Sequence, residues 1–354
     1  MINWVPKKNI NLDLINKKIN ECIENKHFTN NGWNVRVLQS KIKKNFYLDD
    51  NKEVLLVNNG SAGINALIGG LNIYYNKKLR FVVQSFTFPC SRQGLLLDSI
   101  IFDIDENMGP NIVELEKNKN NYDGILITNC FGCSVNIKLY EEFCQKNNKI
   151  LLYDNAASPY TIYDNKNHLN YGHGCMVSLH HTKSIGFGEG GFIVFDKEYL
   201  ESMKKVICFG YTEKNRYEYN IYASNYKMSE IACIYIDEYL KNLEMINHHH
   251  RRIIKYFIEK IKENNLESKI KIFKNYSEYE NSLMACIPII FNSKIETKYF
   301  LENNIEVKKY YYPLEKEHLN SLTIFENIIC FPLNLDINEN IIDIYVKLIK
   351  NILY

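Results

Sequence analysis

The chain has 354 residues, enough to bury a large core and to form two domains. With 46% hydrophobic residues, 24% charged residues and only seven prolines, it reads as an ordinary folded enzyme and excludes the disordered classes. Lys plus Arg total 43 against 41 for Asp plus Glu, a formal charge of +2, so no general capture of nucleic acid or of a membrane surface is expected.

The opening MINWVPKKNINLDLINKK has no continuous apolar run after its basic residues and does not read as a signal peptide. No window approaches the roughly 18 unbroken apolar residues of a membrane span. Ten cysteines are dispersed from Cys22 to Cys330 in a chain too large to need staples, which fits a reducing, cytoplasmic setting. Cys130 and Cys133 form the single CxxC spacing, but no second pair lies at zinc-site distance, and Phe131 and Gly132 between them suggest a tight turn. No metal site is expected.

In chain order, residues 10–26 carry apolar side chains at spacings of three and four, as an amphipathic helix does. The FTNNGW loop around Thr29 precedes a second helix, roughly 34–46, whose KIKK at 41–44 reads as a solvated face. VLLVNNGSAGINALIGGLNIY, 54–74, runs from apolar strand through a small-residue turn into an apolar helix. Gly60, Ser61 and Ala62 would stand where that helix begins, and the unpaired N–H groups of a first turn can receive a phosphate. Neither a Walker A loop nor the GxGxxG dinucleotide pattern is present. Residues 80–105 supply a strand, a turn and helix, and a further strand. Phe88 lies in that turn beside Pro89, where its ring could cover a flat cofactor or pack in the core. GILIT begins the next unit, with Asn129 and Gly132 at the strand's carboxyl end and a helix at 138–147.

The stretch Ile150–Phe195 holds the most specific chemistry. ILLY reads as a buried strand that delivers Asp154 at its carboxyl end, where open α/β sheets place their ligands. MVSL reads as another strand, followed four residues later by Lys183 and then by the glycine-rich GFGEGG. A lysine in a dry site can lose its proton near neutral pH and form a Schiff base with an aldehyde, and a carboxylate facing a ring nitrogen can keep that nitrogen protonated. Together these roles define a site for pyridoxal 5'-phosphate (PLP). Taken alone, each residue reads more readily as a surface lysine before a hairpin and an aspartate capping a turn.

Residues 228–245 read as one long amphipathic helix and 248–262 as the next. His248, His249 and His250 point about 100° apart in succession on a helix, so they read as an ordinary polar face and not as a zinc cluster. MACIPIIF opens a smaller α/β segment, with helical character at 294–303 and 338–350. The repeated units from 54 to 195 point to an α/β core with right-handed crossovers, and a domain boundary is expected at 235–265, inside a helix.

NNGSAGINAL at 58–67, FTFPC at 86–90, YDNAA at 153–157, SLHHTKSIGFGEGG at 178–191 and NYKMSEIA at 225–232 together resemble the DegT/DnrJ/EryC1/StrS family of nucleotide-sugar aminotransferases. IEVKKYYYPL and IICFPLNLDI resemble that family's small domain. The resemblance implies a fold type I PLP enzyme, with a large mixed-sheet three-layer domain (1–240) and a smaller C-terminal α/β domain (241–354), working as a homodimer with shared active sites. It assigns Lys183 to the Schiff base, Asp154 to the ring nitrogen and Phe88 to the ring face. Gly60, Ser61 and Ala62 go to the phosphate turn, Ser178 adds a hydroxyl, Ala157 lies beside the cofactor, and Asn225 serves the neighbouring subunit's phosphate. Thr29, Asn129, His181, Lys308 and Tyr311 are the expected substrate contacts. L-glutamate is the implied amino donor and a dTDP- or UDP-linked 4-keto-6-deoxyhexose the preferred acceptor, with a 3-keto sugar nucleotide as the competitor. Ala157 and Asn129 depart from residues common in the family, as do Leu179, His181 and Lys227. Some members dehydrate a sugar and carry histidine at the Schiff-base position, against which Lys183 argues. A regulatory or structural protein on the same fold is the other class, and it would call for an attached nucleic-acid domain or a strongly basic face.

Overall fold

The computed structural model describes residues 1–211, 216, 217 and 219–354. Helices α1 (Leu12–Glu24) and α2 (Trp33–Asn45) precede β1 (Lys52–Val57) and α3 (Gly60–Tyr74). There follow β2 (Phe81–Gln84), β3 (Ile100–Phe102), α4 (Ile112–Lys117), β4 (Gly124–Thr128), α5 (Ile137–Asn147) and β5 (Ile150–Asp154). The short hairpin β6 (Ile162–Tyr163) and β7 (Lys166–Asn167) leads to β8 (Gly174–Ser178), β9 (Gly191–Asp196) and α6 (Leu200–Val206). The remainder comprises α7 (Glu230–Leu240), α8 (Leu243–Glu263), β10 (Ile270–Ile272), β11 (Cys286–Phe291), α9 (Lys298–Glu302), α10 (Leu319–Asn327), β12 (Ile328–Pro332) and α11 (Glu339–Leu353).

Seven strands make the large sheet in the order β1-β9-β8-β5-β4-β2-β3, with β9 antiparallel to both neighbours and the other pairs parallel. Successive side chains of a strand point to opposite faces, and the core divides accordingly. Val54, Leu56, Val82, Ile125, Tyr153 and Val177 pack with α2, α5 and α7 on one face. Leu55, Val57, Val83, Leu126, Leu152 and Met176 pack with α3 and α6 on the other. This is the expected three-layer mixed-sheet architecture. The antiparallel sheet β10-β11-β12, covered by α8 and α11, builds the second core. Asp103, after β3, ties the two together: its carboxylate accepts from the N–H groups of Asn320 at 2.8 Å and Ser321 at 3.0 Å, capping a helix that has no side-chain cap of its own.

Four local expectations change. The helix expected within 80–105 is two 3-10 turns, Pro89–Arg92 and Gly94–Leu96, because Gly94 adopts φ +59° and Asn65 Oδ1 takes the Leu95 N–H at 2.8 Å. The helix expected over 228–245 breaks between α7 and α8 at Lys241 and Asn242. Lys41 is no simple solvated face: it and Lys18 reach the buried Asp237 at 2.6 and 2.7 Å. His250 is buried and bonded to the Met284 carbonyl at 2.8 Å, so the histidine run is not a uniformly polar face.

Cys130 and Cys133 are buried free thiols whose pKa values burial raises. Among the described residues no side-chain group could hold a metal, and no helix is long and apolar enough to cross a membrane.

Candidate active site

The carboxyl ends of β4, β5 and β8 lie side by side, since Thr128 pairs with Asp154 and Asp154 with Met176. Val57 and Ser178 both pair with Gly191, which brings the β1–α3 turn to the same edge. A cavity of about 440 Å³ opens there, between the large sheet and the segments that carry Ala285, Cys286, Tyr310 and Tyr311. Gly60, Ser61, Asp154, Ala157, Ser178 and Lys183 line it on the sheet side. Trp4, Phe131, Tyr310 and Tyr311 form an aromatic wall opposite, and Phe88 stands at the mouth, 52% exposed.

Asn59 caps α3: its side-chain oxygen accepts from the Ala62 N–H at 2.9 Å and its carbonyl from the Gly63 N–H at 3.0 Å. The N–H groups of Gly60 and Ser61, at the positive end of a 15-residue helix, are thereby left to the cavity. Asp154 is buried, with Oδ1 accepting from the Ala156 N–H at 2.9 Å. Burial raises its pKa, opposed by the Ala156 N–H, the Lys183 charge and the Ser91 hydroxyl. Burial lowers the pKa of Lys183, opposed by the Asp154 charge. The two groups favour each other's charged forms, and desolvation outweighs that attraction at both.

Lys183 sits on a tight turn in which its N–H donates to the His180 carbonyl at 2.8 Å and its own carbonyl accepts from the Gly186 N–H at 3.1 Å. Two glycines permit this. A Cβ on Gly186 would lie 2.1 Å from the His180 carbonyl oxygen, and Gly188 holds φ +65°.

The cavity therefore gathers Gly60, Ser61, Asp154, Ala157, Phe88, Ser178, Lys183 and Tyr311. Ala62 lies within the helix behind it. Asn225 is on the surface, with Oδ1 accepting from Lys227 Nζ at 2.7 Å. Four expected substrate contacts do not line the cavity. Asn129 is buried between Asn155 and the Val135 N–H, Lys308 pairs with Glu306 at 2.7 Å, His181 packs edge-on to Phe187, and Thr29 is exposed in its loop. Lining residues that sequence reasoning missed include His180 with Glu189, whose Nε2 and Oε1 are 3.4 Å apart, as well as Trp4 and Tyr310. His180 had a local signal, being two residues past the end of β8 and on the Lys183 turn. Trp4 had none.

An amine and a carboxylate at adjacent strand ends, a helix N-terminus for a phosphate and room for a flat ring between them fit PLP, and the class of protein that fold and site define is a fold type I PLP-dependent aminotransferase. The DegT/DnrJ/EryC1/StrS aminotransferase family matches residues 11–342. A dTDP-4-amino-4,6-dideoxy-D-glucose transaminase of Shigella dysenteriae is 24% identical over 93% of both chains. A GDP-perosamine synthase of Vibrio cholerae is 22% identical over 87% of this chain and 86% of its own. The solved structure of a DegT DnrJ EryC1 StrS aminotransferase from Brucella abortus superposes with a TM-score of 0.82 at 17% identity, covering 97% of this chain and 96% of that chain. The chain belongs to the DegT/DnrJ/EryC1/StrS aminotransferase family, a family of PLP-dependent sugar-nucleotide aminotransferases.

Proposed function

We propose that the protein transfers the amino group of L-glutamate to C4 of a dTDP- or UDP-linked 4-keto-6-deoxyhexose, giving a 4-amino-4,6-dideoxy sugar nucleotide. The observation that carries this reading is the opening of Lys183, Asp154 and the Gly60–Ser61 turn onto one cavity. The 4-amino-4,6-dideoxy sugar nucleotide in the name of the Shigella relative, matched nearly end to end, supports the choice of C4.

Bound there, PLP supplies an aldehyde for imine chemistry and a ring that takes up electrons. Gly60 and Ser61 N–H groups, with the Ser61 and Ser178 hydroxyls, would hold its phosphate. Asp154 holds a proton at the ring nitrogen and so keeps the ring electron-poor. Phe88, at the cavity mouth, would cover one ring face, and Ala157 would leave room beside it. Lys183, its amine favoured neutral by burial, takes the proton from Cα of glutamate and later returns one to the aminated sugar carbon. The aromatic wall excludes water from the face where those transfers occur.

We also place the enzyme in a homodimer. Asn225 stands on the surface, outside its own chain's cavity, which suits a residue that serves a second copy's phosphate site.

The test is to add L-glutamate to the PLP-loaded protein and follow its absorption spectrum and the release of 2-oxoglutarate. Wild type should do both, and Lys183→Ala neither. A folded, PLP-loaded wild type inert to glutamate would refute the reading.

A further inference from the structure

The first eight residues form a strap from the small domain to the turn that carries Lys183. At one end the Ile2 N–H donates to the Asn304 carbonyl at 2.8 Å, and the Ile2 carbonyl accepts from the Glu306 N–H at 2.9 Å. The Trp4 N–H donates to Glu306 Oε2 at 2.8 Å, and the indole packs 6.0 Å from the Tyr310 ring at the cavity wall. At the other end Lys8 Nζ donates to two main-chain carbonyls, those of Lys183 and Gly186, each at 2.6 Å. The Tyr239 ring lies 4.6 Å from the same nitrogen.

These two carbonyls bracket the Lys183 turn. The Lys183 carbonyl already accepts from the Gly186 N–H at 3.1 Å, so Lys8 adds a second, cationic donor to it and gives the Gly186 carbonyl one as well. Carbonyls in so tight a turn have few alternative partners once water is excluded, and hydrogen bonds from an ionic donor are the stronger kind. Holding a lysine side chain in one geometry also costs rotamer freedom, which a casual surface contact does not offset. Removal from bulk water lowers the pKa of Lys8 to about 7, so a neutral amine, still a donor, is accessible to it as well.

We infer that Lys8 is a positioning residue for Lys183: it clamps both carbonyls of the Lys183–Gly186 turn and so sets the direction from which the Lys183 amine enters the cavity. Lys8 itself does not line the cavity and touches no reacting atom. The inference rests on Lys183 being the lysine that joins the cofactor.

The experiment uses the full chain, stripped of PLP and then titrated with it. Borohydride reduction of the wild-type complex followed by peptide mass analysis first identifies the modified lysine. A tag elsewhere than Lys183 would remove the site assignment and the inference with it. Given the tag on Lys183, the rate at which the lysine-linked absorption band forms and the pH midpoint of that band are compared for wild type, Lys8→Met and Lys8→Gln. The clamp predicts formation slowed about tenfold or more in Lys8→Met and a midpoint moved by about half a unit or more, with Lys8→Gln, which keeps an N–H donor, in between. A folded Lys8→Met with the wild-type rate and midpoint overturns it. Should Lys8→Met not fold, Lys8→Gln decides by the same two readouts, and wild-type values in that variant overturn the inference.

Discussion

Phe131 lies flat against Tyr311, ring centroids 5.4 Å apart and planes 9° from parallel. Phe131 comes from the turn after β4, where it holds φ +61°, and Tyr311 from the segment between α9 and α10. Phe86 meets the Tyr311 ring edge-on at 5.7 Å, so the three rings tie the turn after β4 to the segment before α10 directly beside the cavity. Stacked and edge-on rings are worth more than their buried area alone. Tyr311→Ala should cost about 3 kcal/mol in urea unfolding, whereas Tyr311→Phe, which keeps the ring, should unfold near wild type. Equal losses in the two variants would assign the stability to the hydroxyl and not to the stack.

Asp237 is a buried carboxylate held by Lys18 at 2.7 Å and Lys41 at 2.6 Å, tying α7 to α1 and α2. Burial pushes its pKa up, but the two ammonium bonds together hold it below the usual value. Asp237→Asn should destabilise by about 3 kcal/mol, because it strands two cations against a partly buried surface. Lys41, more exposed, should cost no more than about 1 kcal/mol as Lys41→Met. Urea unfolding of both variants checks the order.

Burial lowers the pKa of His168 and of His250 from 6.5 to about 4. Between these values the unfolded chain binds protons that the native chain refuses. Their contribution to stability is therefore complete above pH 6.5 and declines as pH falls toward 4, by about 1.4 kcal/mol per unit for each ring. His250→Gln should lose about 2 kcal/mol less than wild type between pH 6.5 and 5, measured by urea unfolding at each pH. A variant that loses as much as wild type over that interval would contradict the assignment.

Asp154 is expected to act on the ring nitrogen and not on the substrate. Asp154→Asn, which keeps the shape and removes the charge, should slow the glutamate half-reaction by about 10²-fold or more while PLP still binds. Rapid-mixing spectroscopy after addition of glutamate checks the rate, and an unchanged rate would remove Asp154 from its role.

What the sequence made legible was local. Asp154 and Lys183 could be read because a strand end places each one within a few residues, and Gly60 and Ser61 because a strand meets a helix there. Trp4, Lys8 and Tyr310 could not, since they reach the cavity or the Lys183 turn from segments far away in the sequence that no short-range periodicity reports. Asn129 also stands at a strand end, but its amide is engaged inside the fold by Asn155 and the Val135 N–H, partners that lie beyond any local pattern. The missing helix near Gly94 followed from a side chain, Asn65, that competes for the Leu95 N–H from another helix. In the His248–His250 run, helical spacing separates the three rings but does not say that the third turns into the core.

The most direct test of the proposed function is the site of amination. Protein, PLP and ¹⁵N-labelled L-glutamate would be incubated in parallel with dTDP- or UDP-linked 4-keto-6-deoxyglucose and with the corresponding 3-keto sugar nucleotide, each made in situ, and the products followed by NMR. The proposal predicts ¹⁵N bonded to C4 and loss of the product in Lys183→Ala. Nitrogen found only at C3 of a 3-keto sugar nucleotide, or a deoxygenated sugar carrying no nitrogen, would contradict it.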